Sequence, residues 1–392
     1  MRLNTRATMA VGLTLAAAAA LTACSSGGSG GTTSPKATTA SAAVDLSGVC
    51  PANVVIQTDW NPEADHGHAY QLLGDDYKVD ASKKSVSGTL MSGGKSTGVQ
   101  VEIRSGGPAI GYASVSSQMY QDKSITLGYV TTDEAVQDSQ KLPTTAVMAE
   151  NDISPQMIMW DPKTYPKVKT IKELGTALEK SGGVVRYFGG AAYMNYLIGN
   201  DILPKSVTDG SYDGTPAKFV VGKGKDAQQG FATAEPYIYK NQVSAWGKDV
   251  KFQLVNDTGY PIYPEAMSVR TGDLTKLSPC LKKLVPVLQQ ADVDYFKSPS
   301  TTNKLIANLV TQYNNGWVYD EGVADYAVKE MKKLKIASNG DNSYVGDMDS
   351  SRIQKVIDID TPIYKSSGTT LKADLKPDDL FTNEFIDKSI GF

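Results

Sequence analysis

Residues 54–73 read VVIQTDWNPEADHGHAYQLL, and the order of residue types in them decides the fold. Val54, Val55 and Ile56 form a short apolar run, as a buried strand does. Asp59-Trp60-Asn61-Pro62 then breaks the run, and Glu63 to Leu73 takes on helical character behind the proline. A buried strand running into a helix opens an α/β fold, and the alternation continues along the chain. Residues 100–103, 125–130, 146–149, 157–160, 183–188, 219–221, 251–255 and 266–269 read as strands. A helix passes through Val115 and Met119. Another covers 169–179, where Ile171, Leu174 and Leu178 fall at helical spacing and Thr170 with Glu173 makes a capping box. Further helices are expected over 193–198 and, briefly, 226–233. After Pro279 the pattern turns helical through 281–288, 300–315 and 321–334. Mostly parallel sheets are predicted, with the helical C-terminal third packing back on the first lobe. There is no internal repeat and no Gly-rich phosphate loop.

Upstream, Arg2 and Arg6 precede an apolar stretch at 9–21 (MAVGLTLAAAAAL) that is too short to span a bilayer comfortably. Leu21-Thr22-Ala23-Cys24 resembles a bacterial lipobox, which implies a signal peptide over 1–23 and lipidation (palmitate) of Cys24. An ordinary secretory signal with an incidental Cys24 is the alternative. Residues 24–45 are mainly Ser, Gly, Thr and Ala, which cannot bury enough apolar surface to order themselves. They read as a flexible tether with a mean reach on the order of 25 Å. The expected location is the extracytoplasmic face of the cell membrane, lipid-anchored. No later run approaches the ~18 apolar residues that a span needs.

The remaining chain is longer than one core usually serves, so two lobes are expected. A formal net charge of −3 and the lack of a basic stripe argue against nucleic acid as a partner. Twenty Tyr against eight Phe suits a polar-ligand cleft. With Cys24 lipidated, Cys50 and Cys280 remain as an even pair outside the cytoplasm, expected to form a disulfide; two buried thiols are the alternative. The only histidines, His66 and His68, sit together, and no Gly-x-Ser-x-Gly occurs. An enzyme is therefore not expected, and no cofactor is implied.

Several motifs, taken in order, resemble the extracytoplasmic solute-binding proteins of ABC transporters. The group has the type II periplasmic-binding-protein fold and includes binders of nitrate, alkanesulfonates and thiamine pyrimidine precursors. The motifs are Asp59-Trp60-Asn61-Pro62 with Asp65-His66-Gly67-His68, Ser154-Pro155, Thr170-Ile171-Lys172-Glu173-Leu174, the strand and helix start at 184–192, FATAEPY at 231–237, and the helices of 303–325. Most of residues 50–340 is covered. Residues 74–100 are longer and more polar than the usual approach to the second strand, and 340–392 has no counterpart.

The resemblance implies two α/β lobes, 46–149 with 265–392 and 150–264, joined by two hinge crossings near 150–155 and 260–265. It also implies a small-molecule ligand in the inter-lobe cleft, permease subunits as partners, and a monomer. The ligand is either a planar heterocycle, such as a thiamine pyrimidine precursor, or an anion of the nitrate and sulfonate type. A signalling or structural lipoprotein of the same fold is the other reading.

Ligands in such sheets bind beyond the carboxyl ends of strands, near helix N-termini, which selects four turns. At the first, Trp60 either stacks on a planar ligand, with Asp59 accepting a hydrogen bond, or packs under a loop. At the second, Asp65-His66-Gly67-His68 invites a metal reading, but no further His completes a ligand set and no metal is expected. His66 is instead a candidate hydrogen-bond partner of the ligand. The third is Thr131 and Thr132, which serve either ligand or helix cap. The fourth lies in the second lobe, where the N–H groups of Gly190 and Ala191 suit an anion and Glu235, with Tyr237, suits an amine or ring N–H.

Overall fold

In a computed structural model, which describes residues 44–392, the opening unit forms as read. Strand β1 (Asn53–Gln57) sends Val54 and Ile56 into one apolar core and Val55 into another. Cover on both faces is what its unbroken apolar run requires. The chain leaves through a tight turn, Ala64–His66, into helix α1 (Gly67–Tyr70). Strands β2 (Lys78–Asp80), β3 (Ser85–Ser92) and β4 (Lys95–Arg104) follow. The polar 74–100 stretch is thus the edge of a sheet. Thr97, Val99, Val101 and Ile103 alternate inward while their neighbours face out, so half the residues are polar by design of the strand. Helix α2 (Val115–Gln121), β5 (Ile125–Val130), α3 (Thr132–Asp138) and β6 (Thr144–Ala149) complete this passage.

The chain then builds β7 (Gln156–Trp160), α4 (Ile171–Ser181), β8 (Val185–Arg186), α5 (Ala192–Gly199) and β9 (Thr208–Asp209). After these come α6 (Ala217–Val221), β10 (Ala227–Phe231), α7 (Glu235–Asn241) and β11 (Lys251–Leu254). It returns as β12 (Ala266–Arg270) and ends with α8 (Leu274–Lys297), α9 (Ser300–Tyr313), α10 (Glu321–Lys333) and α11 (Ser350–Ser366).

There are two sheets among the described residues. One runs β2-β3-β4-β1-β5-β12-β6 and the other β11-β7-β10-β8-β9. The chain passes between them twice, over 150–155 and 255–265. The expectation of mostly parallel sheets is corrected. Strands β1, β4 and β5 are parallel, but β12 is antiparallel to both β5 and β6, and β7 is antiparallel to β10 and β11. Strands β7 and β12 each enter directly from a crossing, without the helical crossover that a parallel strand requires.

Two element assignments also change. Residues 219–221, read as a strand, lie in α6, where Phe219 is buried and Val221 exposed. A three-residue apolar run has no period of its own, and Pro216 starts the helical turn. Residues 226–233, read as a helix, contain β10, a central strand of the second sheet. Each of its buried glutamines makes a side-chain hydrogen bond there, while Gln228 Oε1 has no partner among the described residues. Gln228 Nε2 donates to Tyr239 Oη at 2.6 Å, and Gln229 Oε1 accepts from Phe188 N at 2.6 Å.

Helices α8, α9 and α10 share a core with the first sheet, as expected. Helix α11 instead packs against both α3 and α5, and its Ile353, Val356 and Ile357 join a core with residues of both sheets. Cys50 and Cys280 are joined as a disulfide, tying the segment before β1 to α8. The leader, Cys24 and the tether up to residue 43 lie outside the described residues. No helix among the described residues is long and apolar enough to cross a membrane.

Candidate functional site

Between the sheets, where β1, β10 and the second crossing end, is a cavity of about 250 Å3. Its lining includes five carboxyl side chains: Asp59, Glu63, Asp65, Glu235 and Glu265. Its apolar walls are aromatic: Trp60, Phe188, Tyr193, Tyr212, Phe231 and Trp317. No Lys or Arg lines it. A smaller recess of about 170 Å3 adjoins it, sharing Asp59, Gln156, Tyr193, Phe231 and Glu265. A larger cavity of about 660 Å3 lies on the far side of the crossings, against residues 338–350 and Arg352. It is open and mixed in polarity, and the convergence of strand ends and aromatic walls favours the cleft as the ligand site.

The acids of the cleft are held by local structure. Asp59 Oδ1 is 2.9 Å from His66 Nε2, and the same nitrogen lies 3.7 Å from Glu265 and 3.9 Å from Glu63. Asp65 Oδ2 accepts from Thr233 Oγ1 at 2.8 Å, a bond between the first and second passages of the chain. Glu235 accepts from Phe231 N at 2.7 Å across the turn that starts α7. Glu265 sits at the end of the second crossing with φ +51, in the left-handed region. A bulky residue there is strained, and such strain collects at functional sites. Its carboxylate accepts from Asn151 of the first crossing, so the two crossings meet at this side chain.

Burial dominates the protonation of these groups. It pushes Glu235 up to about 7 and Asp65 up to about 6, against lowering by the Phe231 N–H and the Thr233 hydroxyl respectively. Burial, reinforced by neighbouring acids, raises Glu63 and Glu265 well above the ordinary carboxylate range. The cleft therefore gathers negative charge that desolvation opposes, and a cationic group placed among these acids would relieve the cost.

Of the residues expected from sequence, Asp59, Trp60, Ala191 and Glu235 line the cavity, and Thr131 lines the adjoining recess while capping α3. His66 does not line it. It is fully buried behind Asp59, stacked on Tyr129 at 5.2 Å. Thr132 is buried and its hydroxyl accepts from Tyr263 N at 3.1 Å, a packing role. Gly190 takes φ +90 in the turn before α5, and Ala191 N already donates to Phe188 O. Tyr237 faces away, its ring 5.6 Å from that of Tyr326 on α10. Arg186, on the strand that leads to the turn before α5, is bound by Asp209 and, at 2.9 Å, by Asp226. Sequence reasoning missed Glu63, Asp65 and Glu265 as lining residues, and the aromatic wall from Tyr193, Tyr212, Phe231 and Trp317. The acidic run at 59–65 carried a signal for the first two. The others come together only through the tertiary fold.

No protein-family model matches the chain, and a search of the curated proteins finds no relative. Solved structures do match. The aliphatic sulphonate-binding protein SsuA of Escherichia coli is 12% identical with a TM-score of 0.52, over 82% of this chain and 89% of that one. The alkanesulfonate-binding protein SsuA of Xanthomonas axonopodis pv. citri is 11% identical with a TM-score of 0.51, over 85% and 99%. The nitrate-binding protein NrtA of Synechocystis PCC 6803 is 12% identical with a TM-score of 0.50, over 85% and 87%. The fold is that of the type II periplasmic binding proteins.

Proposed function

We propose that the protein is the solute receptor of an ABC importer, held at the membrane through Cys24, and that its ligand is an organic cation or amine-bearing planar ring. The single observation that carries the ligand class is the lining itself, in which carboxyl groups and aromatic faces converge without a lysine or arginine. Aromatic faces attract cations through their quadrupole, and buried carboxylates give charge-assisted hydrogen bonds to N–H donors. A protonated aminopyrimidine, of the kind found in thiamine precursors, meets both requirements. A nitrate or sulfonate would face carboxylates with no compensating cation in the lining, which disfavours the anion reading. The fold supports the receptor role, and the lipobox and tether support its place at the membrane. Permease subunits are then the partners that receive the ligand.

Trp60 and Trp317 lie 6.1 Å apart at the cavity and report on its occupancy. Titration of the full chain with aminopyrimidine, thiamine and quaternary ammonium compounds should change tryptophan fluorescence saturably. Trp60→Ala and Glu235→Gln should weaken that response by about tenfold or more, the equivalent of about 1.4 kcal/mol. Saturable binding of an anion and of none of the cations would remove the proposal.

A further inference from the structure

A second cluster of ionisable groups lies one aromatic ring beyond His66, outside the cleft lining. His68 on α1, Glu150 just after β6 and Asp292 in the last two turns of α8 meet in the interior with 2%, 1% and 0% of their surface exposed. One ligand atom from each lies within 4.8 Å of the others. His68 Nε2 is 3.2 Å from Glu150 Oε2, and Nδ1 is 3.8 Å from Asp292 Oδ1. The Tyr129 hydroxyl shares a hydrogen bond with His68 Nε2 and fixes the ring. Both oxygens of Glu150, both of Asp292 and Nδ1 of His68 have no hydrogen-bond partner among the described residues.

That arrangement is expensive as it stands. Asp292 occupies the stripe of Leu281, Leu284, Val285, Leu288 and Tyr295 by which α8 enters the core, where an apolar residue is the default. Leaving buried carboxylate oxygens unpaired forfeits the hydration they had in water with nothing in return, and the cost grows when the group is charged. A divalent ion resolves the problem, because two carboxylates neutralise it and the assembly carries no net charge into the interior. One imidazole nitrogen with carboxylate oxygens suits zinc or manganese, whereas calcium and magnesium prefer oxygen shells. From sequence no metal is expected, for want of further ligands near His66 and His68. The fold supplies them from far downstream.

We propose that His68, Glu150 and Asp292 bind one divalent transition ion of the zinc or manganese class, oriented by Tyr129. The ion is structural, acquired on folding because its ligands are sealed in the core, and the site is independent of what the cleft binds.

The test is refolding of the full chain, with the disulfide kept oxidised, from guanidinium and a chelator into buffer containing Zn2+ or Mn2+. Metal content is then measured by mass spectrometry after desalting. The expected result is about one ion retained per chain. A rise in unfolding temperature over the chain refolded with chelator should accompany it. Glu150→Gln and Asp292→Asn should each lose at least about nine-tenths of that metal. Glu265→Gln, which alters the separate cluster of Asp59, His66 and Glu265, should retain it. If neither variant folds, X-ray absorption of the metal-loaded unmodified chain decides the matter by showing one imidazole in an otherwise oxygen shell. The proposal is overturned if the unmodified chain retains no metal, or if Glu265→Gln loses the metal while Asp292→Asn keeps it.

Discussion

Glu235 begins α7 with its carboxylate accepting from Phe231 N, half-buried opposite Asp65 and Glu63 and beside Tyr212 and Tyr239. Burial pushes its pKa up to about 7 from the ordinary 4.5, and that of Asp65 up to about 6 from 3.8. A carboxyl raised in the folded state holds a proton that the unfolded chain releases. Its stabilising contribution is therefore fully present below about pH 4 and is lost as pH rises toward about 7. Calorimetry of the ligand-free protein should show stability falling across that window, less steeply in Glu235→Gln. A bound cation reverses the preference, because it favours the ionised acids. Affinity for a permanently charged cation should rise between about pH 5.5 and pH 8, with protons released on binding. Affinity that is flat over this range, measured by isothermal titration, would count against Glu235 and Asp65 as ligand contacts.

Helix α11 is the element that distinguishes this chain from a pair of lobes joined only by crossings. Its Arg352 donates to Asp152 Oδ1 at 2.7 Å in the first crossing, and to the carbonyls of Pro261 at 2.7 Å and Ile262 at 2.9 Å in the second. The guanidinium also lies 3.6 Å from the centre of the Tyr263 ring. Arg352→Ala removes all of these and should lower stability by about 2–4 kcal/mol, read from denaturant unfolding. None of this was legible in the sequence, since an arginine in residues 340–392 looks like any surface arginine. The capping box at Thr170 and Glu173 was legible because its chemistry is local. Glu173 N donates to Thr170 Oγ1 at 3.2 Å, and Thr170 N donates back to Glu173 Oε2 at 3.3 Å. Strand β10 was not, because Ala, Gln and Gly carry no strand pattern and only its place between β7 and β8 makes it one. The site divides the same way. Asp59 and Trp60 stand at the end of a recognisable strand, while Glu265 is aimed at the cleft by a left-handed backbone that Pro264 and its neighbours do not announce.

The whole molecule is closed by two long-range ties, the Cys50–Cys280 disulfide and the packing of α11 across elements of both sheets. The disulfide joins residues 230 apart in sequence, for which chain entropy allows up to about 5 kcal/mol, so a reductant should lower the unfolding temperature. An unchanged transition after verified reduction would show that the folded state gains nothing from this bond. Cys24→Ala should shift the protein from the membrane to the soluble fraction, checked by fractionation and mass spectrometry of the N-terminus. The ligand class is tested most directly by thermal unfolding of the full chain at pH 8 against matched solutes: thiamine, an aminopyrimidine, a quaternary ammonium compound, an alkanesulfonate and nitrate. A cation at ~100 times its dissociation constant should add about 2.7 kcal/mol to the folded state and raise the transition by several degrees. Neither the alkanesulfonate nor nitrate should move it. A rise with the sulfonate or nitrate, and none with the cations, would contradict a cation-binding cleft.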